Sequence, residues 1–270
     1  MFSVLVLLST SINSPMPISL LETDNFRMRT ELKNPHISER EHAQSAIFFN
    51  STGEKIQINV RWISNSAQEN LLKSSTLKAR EEYLDSISTA EPYMKSLSSK
   101  LPPASARIFK GKTLGLIVIN QQAEVSCFFT PQVATNPRGF ADPQPFDFRT
   151  KSAILERIAR HTLANAAGMR LDNSGTGALA GSTVARATCR RSGRVFGDLT
   201  QWAQAENWTI SEDSTYGFLT IKKGAKWAVL PLGADQIKVD GVWKEMGDSA
   251  AFFNGKLYLP AAGLEHLKGA

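Results

Sequence analysis

Residues 106–129, ARIFKGKTLGLIVINQQAEVSCFF, contain three short apolar runs that decide the fold of the first part of the chain. Gly111-Lys112 separates the first run from the second, and Asn120-Gln121-Gln122 separates the second from the third. Turns this short favour an antiparallel meander, in which consecutive strands pair with each other. The stretch therefore predicts three neighbouring strands of one antiparallel sheet.

The sequence on either side extends this sheet and adds helices. Residues 47–49 are apolar and residues 55–63 alternate with period 2, so both predict strands. Residues 65–99 and 150–167 have apolar side chains at helical spacing and predict helices. Together these elements predict an α+β domain at 46–191, an antiparallel sheet with packed helices.

Two segments of this first part have no regular period. Residues 130–149 carry four prolines and predict a long surface loop. Residues 15–45 are polar and predict an extended lead-in before the domain.

Residues 192–270 predict a second, smaller α+β module. Phe196–Trp208 predicts a short helix capped by Asp198. Asp240-Gly241 and Asn254-Gly255 lie between apolar runs and predict hairpin turns. The other elements expected here are strands at 218–222, 226–230, 236–239, 242–243, 250–253 and 256–259, and a last helix through Leu267.

A weak internal repeat runs through this module. Gly193-Arg194-Val195-Phe196 matches Gly255-Lys256-Leu257-Tyr258 at a period of 62 residues, and in each copy a strand precedes a helix. Two copies of one supersecondary unit therefore flank a small sheet.

The motifs of this module are Asn254–Pro260 (NGKLYLP), Leu219-Thr220-Ile221, Lys222-Lys223-Gly224 and Val239–Val242 (VDGV). Through them residues 193–267 resemble the copper amine oxidase N-terminal-like domain, the stalk module common in bacterial exported and envelope proteins. The sequence departs from the family pattern at Phe196-Gly197-Asp198 and at Ala261-Ala262. The resemblance implies a module for attachment or interaction; no family is recognised for the residues before 191.

Residues that would support catalysis or cofactor binding are missing or poorly placed. None of the four tyrosines has the Asn-Tyr-Asp/Glu context of the amine oxidase quinone, and the four histidines are scattered. Gly175–Ala180 fits a dinucleotide fingerprint, but the next segment alternates like a strand, whereas phosphate binding needs a helix N-terminus. We therefore expect no cofactor, no metal and no catalytic centre.

The positive charge of the chain is concentrated in one segment. The net charge is +6, too small for a dedicated nucleic-acid arm, so no nucleic-acid partner is expected. Residues 149–194 hold nine Lys or Arg and two acidic residues, a net +7, and the remainder is almost neutral. This segment is either a solvated helix face with a basic linker or an anion-binding patch. The candidate anion-binding residues are Arg157, Arg160, Arg190 and Arg191.

Cysteines and tryptophans leave further alternatives open. Cys127 and Cys189 lie in strand-like runs and either form one disulfide or remain two buried free thiols. Four of the five tryptophans lie in the last 70 residues. Core filling is expected of them, because tryptophan buries a large area. Trp208 and Trp243 adjoin polar or turn residues, so one of them exposed as a stacking platform for sugar rings is the alternative.

The N-terminus predicts export. Residues 2–8 (FSVLVLL) are apolar and a small polar stretch follows, which resembles the end of a secretory signal at residues 1–14. A buried strand is the alternative, because no basic residue precedes the run. A run of seven residues is too short to cross a bilayer, so we expect no transmembrane span in the mature chain.

These observations favour a secreted or cell-envelope bacterial protein with a non-catalytic binding or attachment role. Its Arg-rich junction would meet an anionic envelope polymer, lipid or protein. The alternative is a hydrolase-type enzyme with its site in the first domain near residues 130–149 and the stalk-like module as accessory. A cleft lined by paired acids or histidines between that loop and the helix of the 149–194 segment would favour the enzyme, and a convex arginine surface without a cleft would favour binding.

Overall fold

The structure is a computed structural model of the 270-residue chain. It describes residues 26–28, 43–63, 77–89, 94–96, 102–110, 113–135, 137–139, 141–166, 188–191, 193–213 and 215–269. Within these ranges, strands in antiparallel sheets dominate and four helices accompany them, which confirms the α+β class. The signal segment predicted at 1–14 and the glycine-rich residues 175–180 lie outside the described residues.

The first sheet has seven antiparallel strands in the order β1-β2-β3-β7-β6-β5-β4. They are β1 (Phe26–Met28), β2 (Ala43–Asn50), β3 (Lys55–Trp62), β4 (Met94–Ser96), β5 (Ser105–Lys110), β6 (Thr113–Ile119) and β7 (Ala123–Thr130). The meander predicted from residues 106–129 is confirmed as β5, β6 and β7. Strand β3 pairs with β7 along its whole length, with Ile58 opposite Cys127.

One helix of this part is shorter than the sequence predicts. In the described residues α1 spans Leu77–Thr89, and Met94–Ser96 forms strand β4 instead of continuing the helix towards residue 99. Met94 pairs with Phe109 on β5, so this segment satisfies its backbone hydrogen bonds at the sheet edge. The helical prediction for 94–96 is therefore wrong.

Helices α1 and α2 (Phe148–Ala166) pack on opposite faces of the first sheet. Alternate residues of β6 point to opposite faces, as the pleat requires. Leu116 lies in the core that Leu155 and Ile158 of α2 fill. Ile117 lies in a separate cluster with Leu84 of α1. Between β7 and α2, the predicted irregular loop contains a small hairpin of β8 (Val133–Thr135) and β9 (Ala141–Pro143).

The C-terminal part has two more antiparallel sheets and two helices. The four-stranded sheet has the order β10-β11-β18-β17, and β12 to β16 form a five-stranded meander. The strands are β10 (Thr188–Arg191), β11 (Arg194–Asp198), β12 (Thr209–Asp213), β13 (Phe218–Lys223), β14 (Lys226–Pro231), β15 (Gln236–Val239), β16 (Val242–Glu245), β17 (Ala251–Phe253) and β18 (Lys256–Pro260). The helices are α3 (Leu199–Glu206) and α4 (Ala261–Lys268).

The predicted repeat is confirmed in these elements. Strand β11 with helix α3 and strand β18 with helix α4 have equal lengths, and every boundary is displaced by 62 residues. The two strands pair antiparallel, with Gly197 opposite Leu259. Asp198 caps α3 as predicted, because its carboxylate accepts hydrogen bonds from the backbone N–H groups of Thr200 and Gln201 at 2.9 and 3.1 Å.

Helix α2 contributes side chains to the cores of both parts of the chain. Its residues Leu155 and Leu163 lie in the core of the first sheet, whereas Ala164 lies in the core of the C-terminal part. Gly233, in the β14–β15 turn, approaches the backbone of α2 so closely that an added Cβ would lie 2.6 Å from the Ala164 nitrogen. The side-chain amide of Asn120 donates to the Gly233 carbonyl at 2.7 Å.

Candidate anion-binding site

The N-terminus of α2 is fixed by Asp147. Its carboxylate accepts hydrogen bonds from the Thr150 hydroxyl and from the Arg149 backbone N–H. The first bond stabilises the carboxylate from a side chain, the second satisfies a backbone N–H that the first helical turn leaves without a partner, and both lower the pKa of Asp147. The helix therefore begins with Arg149 and Thr150 exposed at its first turn.

A groove of about 560 Å³ lies between α2 and the turn that joins β12 to β13. Arg149, Ala153 and Arg157 line it at a spacing of four residues, which places them on one helical face. The remaining lining residues are Thr150, Ile154, Thr215 and Tyr216. The groove therefore combines two guanidinium groups with hydroxyl groups, a donor set suited to carboxylate or phosphate.

Gly217 explains why the β12–β13 turn can form the second wall. It has a φ of +72°, and a Cβ here would lie 3.1 Å from the Arg160 Cβ and 3.4 Å from the Arg157 Cα. The N–H of Gly217 donates to the Asp213 carbonyl at 3.1 Å, and the N–H of Thr215 donates to the Asp213 carboxylate at 2.9 Å. A glycine thus lets the turn rest directly on α2.

Two carboxylates partly balance the charges of the groove, because Asp147 interacts with Arg149 and Glu212 interacts with Arg157. Burial lowers the pKa of the half-buried Arg157, and the charge of Glu212 on β12 opposes that shift. Because an arginine is protonated in proteins, Arg157 remains cationic. Glu212 also lies 3.1 Å from Nε2 of His161, whose ring stacks on Phe252 with centroids 6.0 Å apart.

The structure brings one of the four predicted anion-binding residues into this groove. Arg157 lines it, but the prediction for Arg160 is wrong, because only 1% of Arg160 is exposed. The Arg160 guanidinium donates to the Ser105 hydroxyl and lies 3.9 Å from the buried Glu156 carboxylate. Arg190 and Arg191 belong to β10, and their side chains lie outside the described residues.

Arg149 is the groove residue that the sequence prediction omitted. Its spacing of eight residues from Arg157 places both on one face of the predicted helix, and that spacing is the signal that could have identified it. Thr215 and Tyr216 carry no such signal, because only tertiary packing brings the β12–β13 turn onto α2.

Cys127 is a free thiol buried in the core of the first sheet. Burial raises the pKa of Cys127 well above its ordinary value, so the thiol is unreactive in the folded protein. For this residue the structure shows the free-thiol alternative and not the disulfide with Cys189. The side chain of Cys189 lies outside the described residues.

Trp208 fills the core and is not a stacking platform. It is 7% exposed, and its ring lies 6.0 Å from that of the buried Trp202. Trp243 is half-buried beside Lys238, whose ammonium lies 5.7 Å from the ring centroid. The most exposed of the five tryptophans is Trp227, at 37%, which the sequence did not single out.

Comparison with protein-family models, with curated proteins and with solved structures found no match. In the ranges that the structure describes, no three His, Cys, Asp or Glu side chains are grouped closely enough to hold a metal ion. None of the helices described is both long enough and apolar enough to cross a membrane.

Proposed function

We propose that this protein is an exported, non-catalytic bacterial envelope protein that binds an anionic polymer through the groove along α2. Arg149 and Arg157 are the binding residues, and Thr150, Thr215 and Tyr216 supply neutral hydrogen-bonding groups. In this proposal residues 192–270 form a stalk-type module of the copper amine oxidase N-terminal-like family, which attaches or presents the binding domain.

The observation that carries the proposal is the placement of two arginines in one groove. An exposed cation on a flat surface contributes little to binding, because water and salt screen it. Arg157 is half-buried against the β12–β13 turn, so its side chain is held in position and partly desolvated. A fixed guanidinium group can make two parallel hydrogen bonds to a carboxylate or phosphate.

The position of the groove also supports binding over the enzyme alternative. An enzyme would require paired acids or histidines in a cleft between α2 and residues 130–149. The second wall is instead the β12–β13 turn of the C-terminal part, and the lining residues are arginine, threonine, tyrosine, alanine and isoleucine. Among the described lining residues there is no carboxylate and no histidine, whereas the arginines and hydroxyl groups present can hold an anion.

Retention on immobilised polyglutamate tests the proposal. We expect the Arg149→Gln, Arg157→Gln double variant to bind about fivefold more weakly than the unaltered protein at low salt. The difference should shrink as salt is added, because screening weakens the remaining contacts. Arg138→Gln is the matched control, since Arg138 is an exposed arginine between β8 and β9.

Equal retention of the double variant and the unaltered protein at every salt concentration would contradict the groove as the binding site. If the protein bound anionic lipid vesicles but not polyglutamate, the partner would be a membrane surface and not a polymer, which would contradict the proposal. Export is tested separately by the mass of the protein recovered from a secreting host, where loss of residues 1–14 is expected.

A further inference from the structure

The five-stranded sheet β12–β16 has one face in the core of the C-terminal part and one face turned away from it. Ile221, Ala228 and Val239 lie opposite one another on the inner face and belong to that core. Because side chains alternate between the two faces of a strand, the residues adjacent to these three point outwards. None of the outward residues described in β13, β14 and β15 belongs to the core.

Two neighbouring rows of side chains cross the outward side of this sheet. The register aligns one row directly across all five strands, consisting of Ser211, Thr220, Val229, Lys238 and Trp243. The second row lies two residues further along the strands and consists of Thr209, Lys222 and Trp227. All eight side chains are exposed or half-buried. We call these two rows the outer sheet face.

The outer sheet face presents two indole rings to solvent. Trp227 is 37% exposed, and Trp243 is half-buried with its ring centroid 5.7 Å from the Lys238 ammonium. Lys238 lies on β15, the strand between those of the two tryptophans, and Lys222 lies directly opposite Trp227. Apolar surface left in water costs free energy that burial would recover. The face therefore combines aromatic surface with positive charge in a way that packing within this chain does not use.

The backbone fixes the positions of both indoles. The N–H of Trp227 donates to the Asp240 carboxylate at 3.2 Å, and the N–H of Asp240 donates to the Trp227 carbonyl at 3.0 Å. Trp243 follows the same turn on β16. Two strand spacings of about 4.8 Å and one two-residue step of about 6.8 Å place the two tryptophan Cα atoms about 12 Å apart. An extended oligosaccharide can contact both rings at once without reordering the sheet.

We propose that the outer sheet face binds a polysaccharide in which neutral and acidic sugars alternate. The flat indoles of Trp227 and Trp243 offer apolar faces to the C–H groups of sugar rings. Lys222 and Lys238 attract the carboxylates of the intervening acidic sugars. The three hydroxyl side chains of the two rows add hydrogen-bonding partners for sugar hydroxyl groups.

The charge of the outer sheet face favours such a polysaccharide over a nucleic acid. Lys222 and Lys238 are the charged residues of the two rows, and the Asp240 carboxylate lies beside Trp227 at the turn. A nucleic acid carries a phosphate on every nucleotide and binds to strongly basic surfaces that neutralise several of them. Two ammonium groups beside one carboxylate instead suit a polymer with an anion on every second ring.

Titration calorimetry with hyaluronate, its methyl ester, polyglutamate and oligothymidylate tests the proposal. Hyaluronate alternates neutral and acidic sugars, and we expect it to bind. Trp227→Ala and Trp243→Ala should each weaken this binding about fivefold, because each removes one stacking surface. The ester has the same rings without charge and should bind far more weakly. Polyglutamate has charge without rings, so its affinity should not respond to the tryptophan variants.

Two double lysine variants provide a matched comparison on the same hairpin. Lys222→Gln, Lys238→Gln should weaken hyaluronate binding about fivefold at low salt. Lys223→Gln, Lys226→Gln removes the same charge from the opposite face, because these two residues pair with each other one position away from Lys222 and Trp227. This second variant should bind within about twofold of the unaltered protein. Both variants keep all five tryptophans, so the comparison holds even if a tryptophan variant does not fold.

The α2 groove is excluded by a further variant, since its described lining shares no residue with the outer sheet face. Arg149→Gln, Arg157→Gln should leave hyaluronate binding unchanged, and loss of binding there but not in the outer-face variants would overturn the proposal. No binding of hyaluronate, equal binding of its ester, or tighter binding of oligothymidylate would also overturn it. Equal effects of the two double lysine variants would show that the face of the sheet does not matter, and would overturn it as well.

Discussion

Arg80 of α1 and Asp235 of the β14–β15 turn form an ion pair in which both side chains are almost completely buried. The pair joins two residues 155 positions apart and connects the first sheet to the C-terminal part. Asn120 and Gly233 form a second polar connection at the same interface, at 2.7 Å. The two parts of the chain are thus held together by groups that neither could satisfy alone.

Removing one partner of this pair should destabilise the protein strongly. We expect Asp235→Asn to lower the free energy of unfolding by about 3–5 kcal/mol, because it leaves the Arg80 charge buried without a counter-charge. Denaturant unfolding measures this loss. The double variant Arg80→Met, Asp235→Asn should recover part of it, since the uncompensated charge is gone; a double variant less stable than Asp235→Asn would contradict the argument.

The regular elements could be predicted from the sequence, whereas the interface and the groove could not. Strands β5, β6 and β7 and the hairpin turns at Asp240-Gly241 and Asn254-Gly255 depend on local periodicity and turn residues, which one sequence contains. Arg160 has the same local signal as Arg157, yet one is buried and the other lines the groove. That difference depends on Ser105 and Gly217, which only the folded chain brings to α2.

Gly233 should be intolerant of substitution because of its close approach to α2. It has a φ of +72°, and an added Cβ would meet the backbone nitrogen of Ala164 at 2.6 Å. We expect Gly233→Ala to cost about 3 kcal/mol, from backbone strain and from displacement of the turn away from the helix. Thermal unfolding should show a lower midpoint temperature and a broader transition, since the contact between the two parts is weakened.

Gly224→Ala provides the control for this prediction. Gly224 also has a positive φ, of +60°, but no atom of the described residues lies within 4 Å of the Cβ that would be added. This substitution should cost only about 1 kcal/mol, the strain of the left-handed conformation itself. If the two glycine variants lost equal stability, the close approach of the β14–β15 turn to α2 would not be the cause.

His161 should make the stability of the protein depend on pH. Burial is the main cause that lowers its pKa below the ordinary value of 6.5; Arg157 acts in the same direction and Glu212 opposes both. The unfolded chain therefore binds a proton at a higher pH than the folded chain does. His161 in its neutral form therefore makes its full contribution to stability above about pH 6.5. This contribution is lost as the pH falls through the pKa of His161 in the folded protein, which is the lower of the two.

Chemical denaturation at several pH values between 5 and 8 measures this effect. We expect the loss of stability below pH 6.5 to be reduced by about 1 kcal/mol in His161→Gln. His266→Gln is the control, because His266 is half-buried on α4, away from Arg157 and Glu212, and its Nε2 lies 2.9 Å from the Glu245 carbonyl. A pH profile of His161→Gln that matches the unaltered protein would contradict the assignment.

The reactivity of the Cys127 thiol should show whether the core of the first sheet is folded. Its thiol is fully buried between strands β3 and β6, opposite Ile58 and Leu116, and burial raises its pKa. Because the thiolate is the reactive form, the folded protein should leave Cys127 unmodified by iodoacetamide, whereas the denatured protein should be alkylated there without any reductant. Peptide mapping measures both states, and alkylation that required a reductant would instead show that Cys127 is held in a disulfide.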